Sequence, residues 1–77
     1  MESLKKIVSR VLNIDINKIN EKVSRNNTEE WDSFNHLLLI SEIEKEIKVK
    51  FTMLEVEQIK TFKELQEVIS KKRKYNE

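Results

Sequence analysis

The stretch Glu30-Trp31-Asp32-Ser33-Phe34-Asn35-His36-Leu37-Leu38-Leu39-Ile40 decides the fold. It passes at Asp32-Ser33 from a polar segment into an apolar run. An aspartate there marks a helix start, because its carboxylate can accept from amides of the first turn. The spacing predicts a helix beginning at Ser33 or Phe34 and ending near Ile47. On a wheel of about 100° per residue, His36, Leu39, Ile40, Ile43 and Ile47 share one face, which reads as core. Phe34, Leu37 and Leu38 fall on or beside the opposite face, with Ser41 and Lys45. Apolar residues on both sides exceed what a core stripe needs. The outer set gathers beside Ser33, where a partner can dock.

Upstream, Leu4, Ile7, Val8, Val11 and Leu12 recur at i, i+3, i+4, i+7 and i+8, which predicts a first helix over Ser3–Asn13. Residues 14–31 lose that period and read as a long loop. Ile14, Ile16, Ile19 and Val23 should pin it across the core, with a short helical turn near Asp15–Ile19. Loops of that length in a small domain are often functional.

Downstream, Ile47, Val49 and Phe51 alternate with Lys48 and Lys50. With no second strand pattern to pair with, this reads as an extended connector, its apolar side inward. Thr52-x-x-Glu55 and Thr61-x-x-Glu64 are two capping-box signatures and mark two helix starts. The third helix should be short, over 53–59; the fourth should run from Phe62 to about Lys72 on Phe62, Leu65, Val68 and Ile69, leaving 72–77 as a frayed tail. The expectation is a single all-α domain of four helices.

Composition narrows the chemistry. Seventy-seven residues make one small domain. The absence of cysteine excludes a disulfide framework, a thiolate zinc site and a cysteine nucleophile. The absence of glycine excludes Gly-rich phosphate loops and dinucleotide fingerprints. A single histidine argues against a multi-histidine metal site. The longest apolar run, Leu37–Ile40, is too short to span a bilayer, and no secretory signal opens the chain, so a cytoplasmic protein is expected. The net charge of +1 hides a pattern: residues 29–46 carry six acids against one base, while both flanks are basic. A binding surface there would prefer a basic partner.

In the order of these elements, and in Asp32-Ser33-Phe34 at the start of the second helix, the sequence resembles the acyl carrier protein family. The motif of that family is Asp-Ser-Leu; phenylalanine replaces leucine here. The apolar helix ending in Ile43-Glu44-Lys45-Glu46-Ile47 and the late Thr61-Phe62-x-x-Leu65-x-x-x-Ile69 extend the resemblance over nearly the whole chain. It implies a four-helix bundle and no catalysis by the chain itself. It further implies a 4′-phosphopantetheine arm, donated from coenzyme A and esterified to Ser33, with Asp32 recognised by the modifying transferase. Acyl intermediates of a fatty acid, polyketide or related pathway would ride on it as thioesters. Phe34, Leu37, Leu38, Ser41, Glu42 and Glu44 would form the partner face. The implied partners are a phosphopantetheinyl transferase, an acyl- or aminoacyl-activating ligase or acyltransferase, and an acceptor synthase or transferase, met by a monomer without nucleic acid or membrane. An aminoacyl carrier, such as a D-alanyl carrier, shares fold and motif and is the runner-up. Trp31 before Asp-Ser leans towards a specialised carrier.

Departures and plainer readings stand beside this. The chain is near neutral where the family is acidic; Ser41 and Lys45 stand where an apolar residue and an acid are common; Lys48 sits near the expected helix-ending glycine. Asp32 can be an ordinary N-cap, Trp31 a loop residue packed over the core, His36 a packed histidine instead of a base. Glu42, Glu44 and Glu46 can be a solvated face, and Lys71–Lys74 a solvated helix end that complements the dipole. A helical interaction or nucleic-acid-binding domain is the competitor from another class. Its lysines, however, are spread over both ends, without a recognition-helix pattern.

Overall fold

The computed structural model describes residues 2–75. Four helices follow in order: α1 (Glu2–Leu12), α2 (Ser33–Ile47), α3 (Met53–Gln58) and α4 (Phe62–Tyr75), with a 3-10 turn at Ile16–Lys18 between α1 and α2. The all-α architecture expected from the sequence is the one observed.

The stripe of α1 forms because Leu4, Ile7, Val8 and Leu12 fall on one side, and all four are buried. They meet Leu39, Ile40 and Ile43 of α2, Ile59, and Phe62, Leu65 and Ile69 of α4 in one core. Ile47, the last residue expected on the core face of α2, is half-buried against it. The first helix ends one residue earlier than Asn13, because Asn13 adopts a left-handed conformation at φ 56°. That turn lets the Ile14 amide donate to the Ser9 carbonyl at 3.2 Å, closing the helix end. Lys48 is likewise left-handed after α2, at φ 62° and ψ 47°. A β-carbon there costs about 1–2 kcal/mol.

The long loop is pinned at three of its four expected anchors; Ile16, half-buried in the 3-10 turn, is not among the residues packed against the core. Ile19 is buried, and Ile14 and Val23 pack against the core. Asp15 caps the 3-10 turn by accepting from the Asn17 amide at 2.9 Å. A further restraint has no signature in the apolar pattern: Ser24 and Thr61 form an isolated antiparallel bridge. The Arg25 amide donates to the Lys60 carbonyl, and the Phe62 amide to the Val23 carbonyl, each at 2.9 Å.

Both capping boxes mark helix starts. At α3 the box is reciprocal: the Glu55 amide donates to Thr52 Oγ1 and the Thr52 amide to Glu55 Oε1. At α4 the Glu64 amide donates to Thr61 Oγ1, but the Glu64 carboxylate accepts from the Lys60 amide, one residue earlier. Val49 is buried and Phe51 half-buried, so the connector does turn its apolar side inward.

The fourth helix corrects the expected tail. It continues to Tyr75, past Lys72, and only residues 76 and 77 of the expected frayed segment lie outside the described residues. No glycine or proline interrupts Ser70–Tyr75. Lys72, expected on a solvated end, instead reaches Glu55 Oε1 at 2.7 Å and lies 5.5 Å from the centre of the Phe51 ring. That contact ties α4 to α3 beyond the core and holds the Glu55 carboxyl below its usual range.

Candidate functional site

Asp32 is extended and accepts from the Asn35 amide through Oδ1 at 2.8 Å, so it is the N-cap of α2. The first helical bond runs from the His36 amide to the Asp32 carbonyl at 2.8 Å. The amides of Ser33 and Phe34 precede it and have no partner inside the helix, and the positive end of the helix dipole points there. Asn35 fixes the entry by donating from Nδ2 to the Glu30 carbonyl at 2.8 Å. Ser33 is exposed at this start. Its hydroxyl therefore stands in solvent beside a weakly electropositive backbone, an arrangement that tolerates an anionic phosphodiester.

Ser33 opens onto a cleft of about 380 Å³ lined by Arg25, Asn26, Trp31, Asp32, Ser33 and Lys60. Arg25 Nη2 donates to Ser33 Oγ at 3.4 Å. The residues present fit a phosphate-bearing group: an accessible hydroxyl, a helix start and two cations. Among the described residues no cluster of histidine and carboxylate side chains is arranged to hold a metal ion.

Behind this start lies a buried polar relay. Trp31 is 1% exposed, so it packs into the core, as one of its two readings had it. Its indole Nε1–H donates to His36 Nδ1 at 3.0 Å, and His36 Nε2–H donates to the Val56 carbonyl at 2.8 Å. The bond to Val56 fastens α3 against the first turns of α2. Burial pushes the imidazole below its ordinary value, against the raising effect of the Val56 bond, and Arg25 adds to the lowering. A buried neutral imidazole with both nitrogens engaged is a structural element, in line with a packed histidine.

The outer apolar residues of α2 are where the sequence placed them: Phe34 and Leu37 are 75% and 62% exposed, and Leu38 is 41% exposed. Ser41 is exposed on the same helix. The expected acids sit differently. Glu42 is half-buried and pairs with Arg10 of α1 at 3.2 Å; Glu46 pairs with the same guanidinium. Glu44 is half-buried and accepts from the Phe51 amide at 2.9 Å. The acid of α2 is therefore largely engaged inside the fold. Two further exposed apolar residues, Met53 and Leu54, sit in the first turn of α3 and were not singled out from the sequence. The Thr52–Glu55 box was the available signal, since it assigns both to the first turn, where a six-residue helix can bury little.

Among solved structures, the fold matches the solution structure of the holo acyl carrier protein from Geobacter metallireducens. The TM-score is 0.87 at 28% identity, covering 97% of this chain and 86% of that one. No family model and no curated relative matches the sequence.

Proposed function

We infer, from the premise that this chain belongs to the acyl carrier protein family, that it carries acyl intermediates on a 4′-phosphopantetheine arm attached at Ser33. The observation that carries this reading is the exposed Ser33 hydroxyl at the start of α2, behind an Asp32 N-cap. The arm supplies the thiol for thioester exchange, which a chain without cysteine cannot supply itself. The chain's own residues present and protect: Asp32 fixes the first turn, and the Trp31–His36–Val56 relay holds that turn against α3.

The cargo is an acyl group of a fatty acid, polyketide or related biosynthetic pathway, and the setting is the cytoplasm. No helix among the described residues is long and apolar enough to cross a membrane. The partners are a phosphopantetheinyl transferase that reads Asp32-Ser33, a ligase or acyltransferase that loads the thiol, and a synthase or transferase that unloads it. Phe34, Leu37, Leu38 and Ser41 form the face they meet. Glu42 and Glu44 shape it from within, through their bonds to Arg10 and Phe51.

The test is intact mass after incubation with coenzyme A and a broad-specificity phosphopantetheinyl transferase. The wild type should gain one phosphopantetheine and Ser33→Ala none. No gain in the wild type with several transferases overturns the carrier reading, and a gain that survives Ser33→Ala overturns the site.

A further inference from the structure

Resting on Ser33 as the attachment point, we propose that Arg25 and Lys60 form a cationic cradle for the phosphodiester of the arm, in the cleft beside the start of α2. Neither residue belongs to the Asp-Ser motif, and they are far apart in sequence. The backbone brings them together. Antiparallel bridging of Ser24 with Thr61, and the 2.9 Å bond from the Arg25 amide to the Lys60 carbonyl, set the two residues side by side. Both then line the cleft that contains Ser33.

Three observations point to an anion. Arg25 Nη2 already reaches Ser33 Oγ, the atom that would bear the phosphorus. The ion pairs among the described residues use Arg10 and Lys72, so neither Arg25 nor Lys60 has its charge met by a carboxylate there. Asp32 lines the same cleft, with its carboxylate held by the Asn35 amide. A phosphodiester on Ser33 would add a second negative charge beside that carboxylate, and two nearby cations offset the repulsion. The guanidinium fork matches a pair of non-bridging oxygens, and the ammonium acts as a mobile point charge. The cradle restrains the root of the arm, leaving its thiol end to move.

The experiment uses the full chain, loaded enzymatically and verified by intact mass. Wild type, the Arg25→Gln/Lys60→Gln double variant and a Lys45→Gln control are compared by the ³¹P resonance of the holo-protein and by the change in Tm on loading. In low salt the gain in Tm should be larger in the wild type than in the double variant by about 2–4 °C. That difference should contract in high salt. The ³¹P resonance should move in the double variant and stay in the control. Equal Tm gains, or an unmoved ³¹P resonance, in the double variant overturn the cradle while leaving the carrier reading intact. Failure of the wild type to load overturns the carrier reading itself. A salt series on the unaltered holo-protein needs no variant: a ³¹P resonance indifferent to salt also overturns the cradle.

Discussion

The indole of Trp31 donates to His36 Nδ1 at 3.0 Å, and this bond fixes the tautomer of the one histidine in the chain. With Nδ1 accepting, the proton resides on Nε2 and is given to the Val56 carbonyl. Protonating the ring would place a second donor against the indole N–H and a charge in the core, so the folded state resists it.

A pH dependence of stability follows. Burial holds the folded imidazole below its ordinary 6.5, whereas the unfolded chain titrates near that value. As pH falls below 6.5, the unfolded state takes up a proton that the folded state refuses, so stability is full above that pH and declines below it. The decline continues until the folded imidazole titrates as well. Urea unfolding between pH 7.5 and 5.5 should show the loss in the wild type. His36→Gln, compared with itself over the same range, should lack this component; an equal slope in both proteins would assign the effect elsewhere.

Removing the donor is costly in a different way. Trp31→Phe keeps most of the apolar ring but leaves buried His36 Nδ1 without its partner. The expected loss is about 1–3 kcal/mol at pH 7, read by urea unfolding. The pKa of His36 should rise in the variant, because the charged ring no longer opposes a donor; NMR titration of the imidazole checks this.

Lys48 ends α2 in a left-handed conformation that disfavours a β-carbon. Lys48→Gly relieves that strain and gives back part of it as unfolded-chain entropy, for a net gain of about 0.5–1 kcal/mol. Asn13 has the same sign of φ, but asparagine visits this region readily, so Asn13→Gly should gain less. Thermal unfolding of the two variants ranks them.

Glu44 distinguishes a fold residue from a docking residue. Its carboxylate caps the half-buried Phe51 amide, so Glu44→Ala should cost about 1 kcal/mol or more. Exposed Ser41, whose hydroxyl makes no such bond among the described residues, should tolerate alanine within about 0.5 kcal/mol. Chemical denaturation of the apo forms separates them.

These residues also show what the sequence could and could not reveal. Leu4, Ile7, Val8 and Leu12 declare α1 because helix period and burial are local properties of consecutive residues. Thr52 and Glu55 declare the start of α3 for the same reason, and Asp32-Ser33 that of α2. The pairing of Ser24 with Thr61 has no local signature: a one-residue bridge needs no alternation, and its partners are far apart. The neighbourhood of Arg25, Lys60 and Ser33 depends on that bridge, so it was equally hidden. The helix wheel put His36 on the core face, but its engagement by Trp31 and Val56 depends on the loop closing over α2 and on α3 docking beside it. The run of α4 to Tyr75 extends past the apolar period of Phe62–Ile69, and the Lys72–Glu55 pair that ties it to α3 joins two helices whose contact the periodicity of either does not encode.

The most direct test of Ser33 as the carrier of the arm exploits the absence of cysteine from the chain. A thiol-reactive chromophore counts thiols per chain after enzymatic loading from coenzyme A and removal of small molecules under denaturing conditions. The prediction is one thiol per wild-type chain and none in Ser33→Ala. No thiol in the wild type, or one in Ser33→Ala, would contradict it.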